Sequence, residues 1–147
     1  MRSAADSYRI AFPQRAFATE LHEEAVEIEG APDLIVQMLD KLVDNAVDFS
    51  PEGATIILRV RLEPQAAVVE VDNPGPPLPA ETSDHLFESL WQSRAGAPGA
   101  PADCDSRPHF GLGLYIVRLI AEFHGGDAAA RSLPGDSGAR FTIRLAR

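Results

Sequence analysis

Between Thr55 and Leu62 the chain alternates with a period of two, Ile56, Leu58, Val60 and Leu62 on one side and Thr55, Arg59 and Arg61 on the other. A strand has that period and a helix does not, so the segment reads as a half-buried strand whose aliphatic side must be covered by a second layer. Glu63 and Pro64 make a turn. Gln65 to Asn73 then repeats the pattern with Ala67, Val69 and Val71 facing inward, which predicts antiparallel pairing with the first strand. By the same parity Asn73 points inward, while Asp72 and Glu70 point outward.

The covering layer is legible just upstream. Pro32 suits the first position of a helix, Asp33 favours its dipole, and Pro51 disfavours a helical Ser50, so a helix is expected to end near Phe49. On a wheel of about 100° per residue, Ile35, Met38, Leu39, Leu42, Ala46 and Phe49 form the core stripe. Asp33, Asp40, Asp44 and Asp48 take the opposite face. Residues 16 to 21 and 25 to 29 read as two short strands joined by His22 to Glu24, and residues 1 to 15 as a lead-in. Leu114 to His124 predicts a second helix with Ile116, Val117, Ile120 and Phe123 inward and Gly125 ending it. Asp127 to Leu133 and Ala139 to Ala146 form a hairpin around Pro134 to Gly138. The expectation is one domain over residues 1–147: a two-layer α/β sandwich, with a largely antiparallel sheet and helices on one face.

Seven of the twelve prolines fall between Pro74 and Phe110. Only Glu81 to Trp91 could be a short helix there, with Leu86, Phe87, Leu90 and Trp91 as its apolar edge, and Ala95 to Arg107 reads as mobile. A loop of that length in a compact domain suggests a lid. The net charge of −9 argues against a nucleic-acid partner, and no polybasic run would hold the chain on an anionic membrane. Cys104, the single cysteine, allows no internal disulfide and no cysteine-based metal cluster, which fits a reducing, cytoplasmic setting.

Three places carry chemistry. Asn45 sits at the edge of the helix stripe between Lys41 one turn before and Phe49 one turn after. That row offers a cation for phosphate, an amide oxygen for Mg²⁺ and a ring for a purine, or else a boundary residue bonding helix to strand. Gly111-Leu112-Gly113-Leu114 opens a helix, where free N–H groups attract anions, or where glycines merely allow a hinge. Asn73, polar and inward at a strand end, must find a partner: a ligand's amino group, a water or the backbone.

Taken in order, these elements resemble the GHKL (Bergerat-fold) ATP-binding domains, most closely the catalytic domain of bacterial sensor histidine kinases, from about residue 16 onward. Asp40-Lys41-Leu42-Val43-Asp44-Asn45-Ala46-Val47-Asp48-Phe49-Ser50-Pro51 is similar to the N box and Asn73-Pro74-Gly75-Pro76-Pro77-Leu78-Pro79 to the first glycine box. Leu86-Phe87-Glu88 resembles the F box, Gly111 to Val117 the second glycine box, and Gly135 to Phe141 the last. Lys41 stands where these kinases usually carry asparagine, and Asp48 where a basic phosphate contact is common. Pro77 replaces a glycine, and His109-Phe110 replaces Gly-Thr.

The resemblance implies a nucleotide held between the N-box helix and a lid over residues 74–110, with ATP and Mg²⁺ as cofactors. It gives Asn45 the magnesium position and leaves Lys41 beside it in the catalytic row. Phe49 and Leu78 would line the adenine pocket beside Gly75, and Asn73 would take the place of the aspartate that accepts the adenine amino hydrogen bond. Gly111, Leu112, Gly113 and Leu114 would face phosphate, with Arg94 reaching it from the lid. The implied activity is transfer of the γ-phosphate to a histidine on an upstream dimerisation domain, with a response regulator as later partner, in the cytoplasmic part of an inner-membrane sensor. His22 is read as a surface loop residue, and His85, His109 and His124 show no metal-ligand spacing. Two other readings are an anti-sigma-type serine kinase of the same superfamily and an ATP-binding module without transfer. The serine kinases and hydrolytic relatives carry a glutamate proton acceptor where Lys41 stands.

Overall fold

The structure is a computed structural model, and it describes residues 2–78, 85–88 and 112–147. The elements run α1 (Arg2–Ala11), β1 (Ala16–Leu21), α2 (Pro32–Phe49), β2 (Thr55–Glu63), β3 (Ala66–Pro74), α3 (Leu112–Phe123), β4 (Asp127–Ser132) and β5 (Gly138–Ala146). The strands form one sheet in the order β1-β2-β3-β5-β4. β1 pairs parallel to β2, and every other pairing is antiparallel. Met38, Leu39, Leu42, Val43 and Ala46 of α2 and Val117, Ile120 and Ala121 of α3 share one core with Ile56, Leu58, Val69, Val71, Phe141, Ile143 and Leu145 of the sheet. The two-layer sandwich and the antiparallel pairing of β2 with β3 are as expected, and α2 has the span read from its prolines.

Several expectations need correction. The lead-in is in part a helix: Ala5 and Tyr8, three apart, are buried on one side of α1, and the Tyr8 hydroxyl donates to Asp40 Oδ1 at 2.7 Å. Burial, and then that hydrogen bond, push the Tyr8 hydroxyl pKa well up. Residues 25 to 29 form no strand. The sheet ends at β1, so Val26 and Ile28 turn partly inward from an irregular segment with no ladder to join. α3 starts two residues earlier than expected, at Leu112. Phe49 and Phe123 are not core residues: they stand 62% and 70% exposed, because each lies at the end of its helix, beyond the sheet's cover.

The helices lie antiparallel, pinned at one end by His124. Its Nε2 accepts from the Ala31 N–H at 3.1 Å, so Nδ1 carries the proton and donates to the Ile120 carbonyl at 2.7 Å. Arg15 secures the opposite end of α2, donating to the carbonyls of Val47 and Ser50 at 3.3 and 3.2 Å. These are acceptors that the helix itself leaves unpaired.

Candidate functional site

The site residues collect where α2 ends, α3 begins and β3 runs out. Lys41 and Asn45, one turn apart on α2, are both half-buried. The Lys41 stem lies along the start of α3: a Cβ added at Gly113 would sit 3.8 Å from Lys41 Cδ. The lysine row and the glycine-initiated helix, read separately in the sequence, therefore meet. Phe49, one turn beyond Asn45, presents an open aromatic face. Leu112 is exposed and Leu114 half-buried. Arg94 and Gly111 lie outside the described residues, as do His109, Cys104, the 95–107 stretch read as mobile, and most of the helix considered for 81–91. Within that last segment, residues 85–88 form a turn that buries Phe87 edge-on against Phe141.

Asn73 closes the floor. It is 2% exposed, on the inward side of β3 as parity predicted, and its Oδ1 has no hydrogen-bond partner among the described residues. A buried amide oxygen ordinarily has a hydrogen-bond partner, and none of the described residues supplies one. Two glycines let backbone crowd around it. A side chain at Gly138 would place its Cβ 2.2 Å from the Asn73 carbonyl oxygen, and one at Gly75 2.6 Å from the Phe49 carbonyl oxygen. The end of β3, the tip of β5 and the end of α2 are thereby held in direct contact.

Asp72 faces the other side of the sheet, as expected, yet it is not solvated: it is 4% exposed. Arg140 grips it from β5 at 2.6 and 2.7 Å, and Arg59 donates to it from β2. Glu70 is likewise buried beneath Arg61, at 2.8 Å. Burial alone would raise both carboxyls. The arginine hydrogen bonds and charges outweigh it, so both sit below the ordinary carboxylate range. This ladder of arginines stiffens the strand from behind and leaves Asn73 as the polar group on the site side.

Sequence reasoning missed Ser132. Its hydroxyl accepts from the Leu78 N–H at 3.0 Å and donates to the Leu78 carbonyl at 3.2 Å, fastening the segment after Gly75 to β4. The inward row Ala128, Ala130, Ser132 was a signal, since a hydroxyl in an apolar row needs a partner.

Residues 30–147 match the family described as "Histidine kinase-, DNA gyrase B-, and HSP90-like ATPase". Sensor protein ChvG of Rhizobium meliloti (strain 1021) is 36% identical over 123 residues, which is 80% of this chain and 20% of that protein. Sensor protein DivL of Caulobacter vibrioides is 31% identical over 128 residues, 87% of this chain and 15% of that protein. The chain thus spans about a fifth of the length of the curated relatives it matches. Among solved structures, the mycobacterial sensor histidine kinase MprB superposes with a TM-score of 0.79 at 22% identity, covering 99% of this chain and 90% of that one. The catalytic domain of histidine kinase ThkA gives 0.77 at 23% identity, covering 99% and 92%. By its profile match and its sensor-protein relatives, this chain belongs to the histidine kinase-, DNA gyrase B- and HSP90-like ATPase family.

Proposed function

We propose that this domain binds Mg·ATP and donates the γ-phosphate to a histidine on a dimerisation domain outside the chain, as part of a two-component sensor kinase. The observation that carries the reading is the buried amide oxygen of Asn73, unpartnered among the described residues; it would form the floor of a site edged by Lys41, Asn45 and Phe49. That oxygen can accept a hydrogen bond from the adenine amino group without burying a charge. The exposed Phe49 ring and the Leu78 side chain would flank the base. Lys41, its stem along Gly113, would bring a cation beside the opening N–H groups of α3, and both suit phosphate. Gly111 and Arg94, outside the described residues, would add contacts to the same phosphates.

Asn45 fits a magnesium ion in its donor chemistry. It offers one neutral oxygen, half-buried on the row between Lys41 and Phe49, and Mg²⁺ favours few protein ligands together with phosphate oxygens. When bound, the ion neutralises charge on the phosphates. The chain's own residues orient the nucleotide and exclude water from its base. No proton acceptor is required of them: an unprotonated imidazole nitrogen is itself the nucleophile, and a charged Lys41 could not take a proton. Catalysis is then alignment and charge neutralisation for an in-line transfer.

The named relatives are sensor proteins, and one structural relative, ThkA, is solved in complex with response regulator protein TrrA. A response regulator is therefore the proposed later partner, and the cytoplasmic side of a sensor the proposed location. No described helix is long and apolar enough to cross a membrane. The test is to mix the chain with Mg²⁺, γ-labelled ATP and a helical dimerisation domain carrying an acceptor histidine. Acid-labile label is expected on the added domain and not on this chain. ATP binding without transfer would favour a nucleotide-binding module, and stable labelling of His22 would overturn the assignment.

A further inference from the structure

Of the segment that leaves β3, Gly75 is tied to the β4–β5 hairpin by its N–H on the Ser137 carbonyl at 3.0 Å. Pro76 and Pro77 follow and have no N–H to give. Leu78 is the next residue able to donate, and it is bound through both backbone groups by one hydroxyl, that of Ser132, from 54 residues away. Leu78 is half-buried and packs on the core. β4 is an edge strand, and Ser132, its last residue, continues the inward row of Ala128 and Ala130. The diproline segment is thus tied by hydrogen bonds on both sides, at Gly75 and at Leu78. Without the Ser132 bonds, the described part of the segment keeps the Gly75 hydrogen bond and the packing of the Leu78 side chain.

We infer that Ser132 is a positioning residue for the nucleotide's base: its hydroxyl clamp on Leu78 sets the wall of the pocket whose floor is Asn73. The inference rests on the proposed ATP site. Ser132 acts through the Leu78 backbone, so its effect on ATP must pass through the Leu78 side chain, whereas a merely structural role would not depend on that side chain.

The experiment compares Ser132→Thr, which keeps the hydroxyl on a side chain suited to a strand, with Ser132→Val, which keeps the shape and loses the hydroxyl. Both are made in the 147-residue chain and read by calorimetric titration with ATP and Mg²⁺. Ser132→Thr should bind as the unsubstituted chain does, and Ser132→Val about tenfold more weakly, the size of one modest buried hydrogen bond. In a Leu78→Ala background, Ser132→Val should cost nothing further, because the wall is already gone. Equal affinities for the Thr and Val variants, or a full tenfold loss persisting in the Leu78→Ala background, would overturn the clamp while leaving the ATP site standing. If Ser132→Val does not fold, Ser132→Ala takes its place in the same cycle. A chain that binds no ATP before substitution overturns the functional reading, and the clamp with it.

Discussion

Asn73 and Asp72 are neighbours on one strand and face opposite sides of the sheet, so a pair of substitutions can separate the roles proposed for them. Asn73→Ala removes an oxygen that has no protein partner among the described residues, so the free chain loses little more than a small volume. We expect its unfolding free energy to move by about 1 kcal/mol or less, roughly 2–4 °C in midpoint for a chain of this size. ATP loses its hydrogen-bond acceptor in a buried setting, which costs roughly 1–3 kcal/mol, or about ten- to a hundredfold in affinity. Asp72→Ala inverts the pattern. It strips a buried carboxylate from between Arg140 and Arg59, leaving two half-buried guanidiniums without it, so stability falls. Affinity measured on molecules that remain folded should hardly change, because the carboxylate faces away from the site. Calorimetry for ATP, combined with urea unfolding of each variant, separates the two effects. GTP should bind more weakly than ATP to the unsubstituted chain, since a guanine carbonyl would meet the Asn73 oxygen, although an amide flip softens that rejection. If folded Asp72→Ala loses ATP and Asn73→Ala does not, the assignment of faces at the end of β3 is refuted.

Two further outcomes follow from the same geometry. Asn45→Ala should abolish the Mg²⁺-dependent part of ATP-analogue binding while the far-ultraviolet circular dichroism stays unchanged; calorimetry with and without Mg²⁺ reads this, and unchanged affinity with Mg²⁺ would remove Asn45 from the site. Asp72 and Glu70 have folded pKa values below their unfolded ones, so the stability they add is complete above about pH 5 and is lost as pH falls through the unfolded and then the lowered values. Urea unfolding between pH 7 and pH 3 should therefore show an acid-labile component that is smaller in Asp72→Asn, and equal pH slopes for the two proteins would contradict it.

What the sequence made legible was whatever depends on neighbours along the chain. Pro32 and Pro51 bracket α2, the alternation of β2 and β3 survives in their register, and Asn73 follows from counting by twos. Features that depend on pairing across the sheet were out of reach. Arg59 and Arg140 bury Asp72 only because register sets β2 and β5 on either side of β3, and no local pattern encodes that adjacency. Ser132 and Leu78 meet for the same reason. Val26 and Ile28 alternate like a strand, but alternation does not supply a partner. Phe49 and Phe123 lie at helix ends, where a wheel gives direction and says nothing about how far the sheet extends.

β5 lies between β3 and β4, so the strand made last among the described elements enters the middle of the sheet. During synthesis, a chain that has not yet reached Gly138 can pair β1, β2 and β3 while one edge of β3 stays open. That edge belongs to an apolar strand carrying Val68, Val69 and Val71, the kind that recruits other strands. The contacts that shape the floor around Asn73 are also missing, since Gly138 and Ser137 supply them. Folding of this domain is thus obliged to wait for its final strand, and until then the nascent chain holds neither a closed sheet nor a nucleotide site.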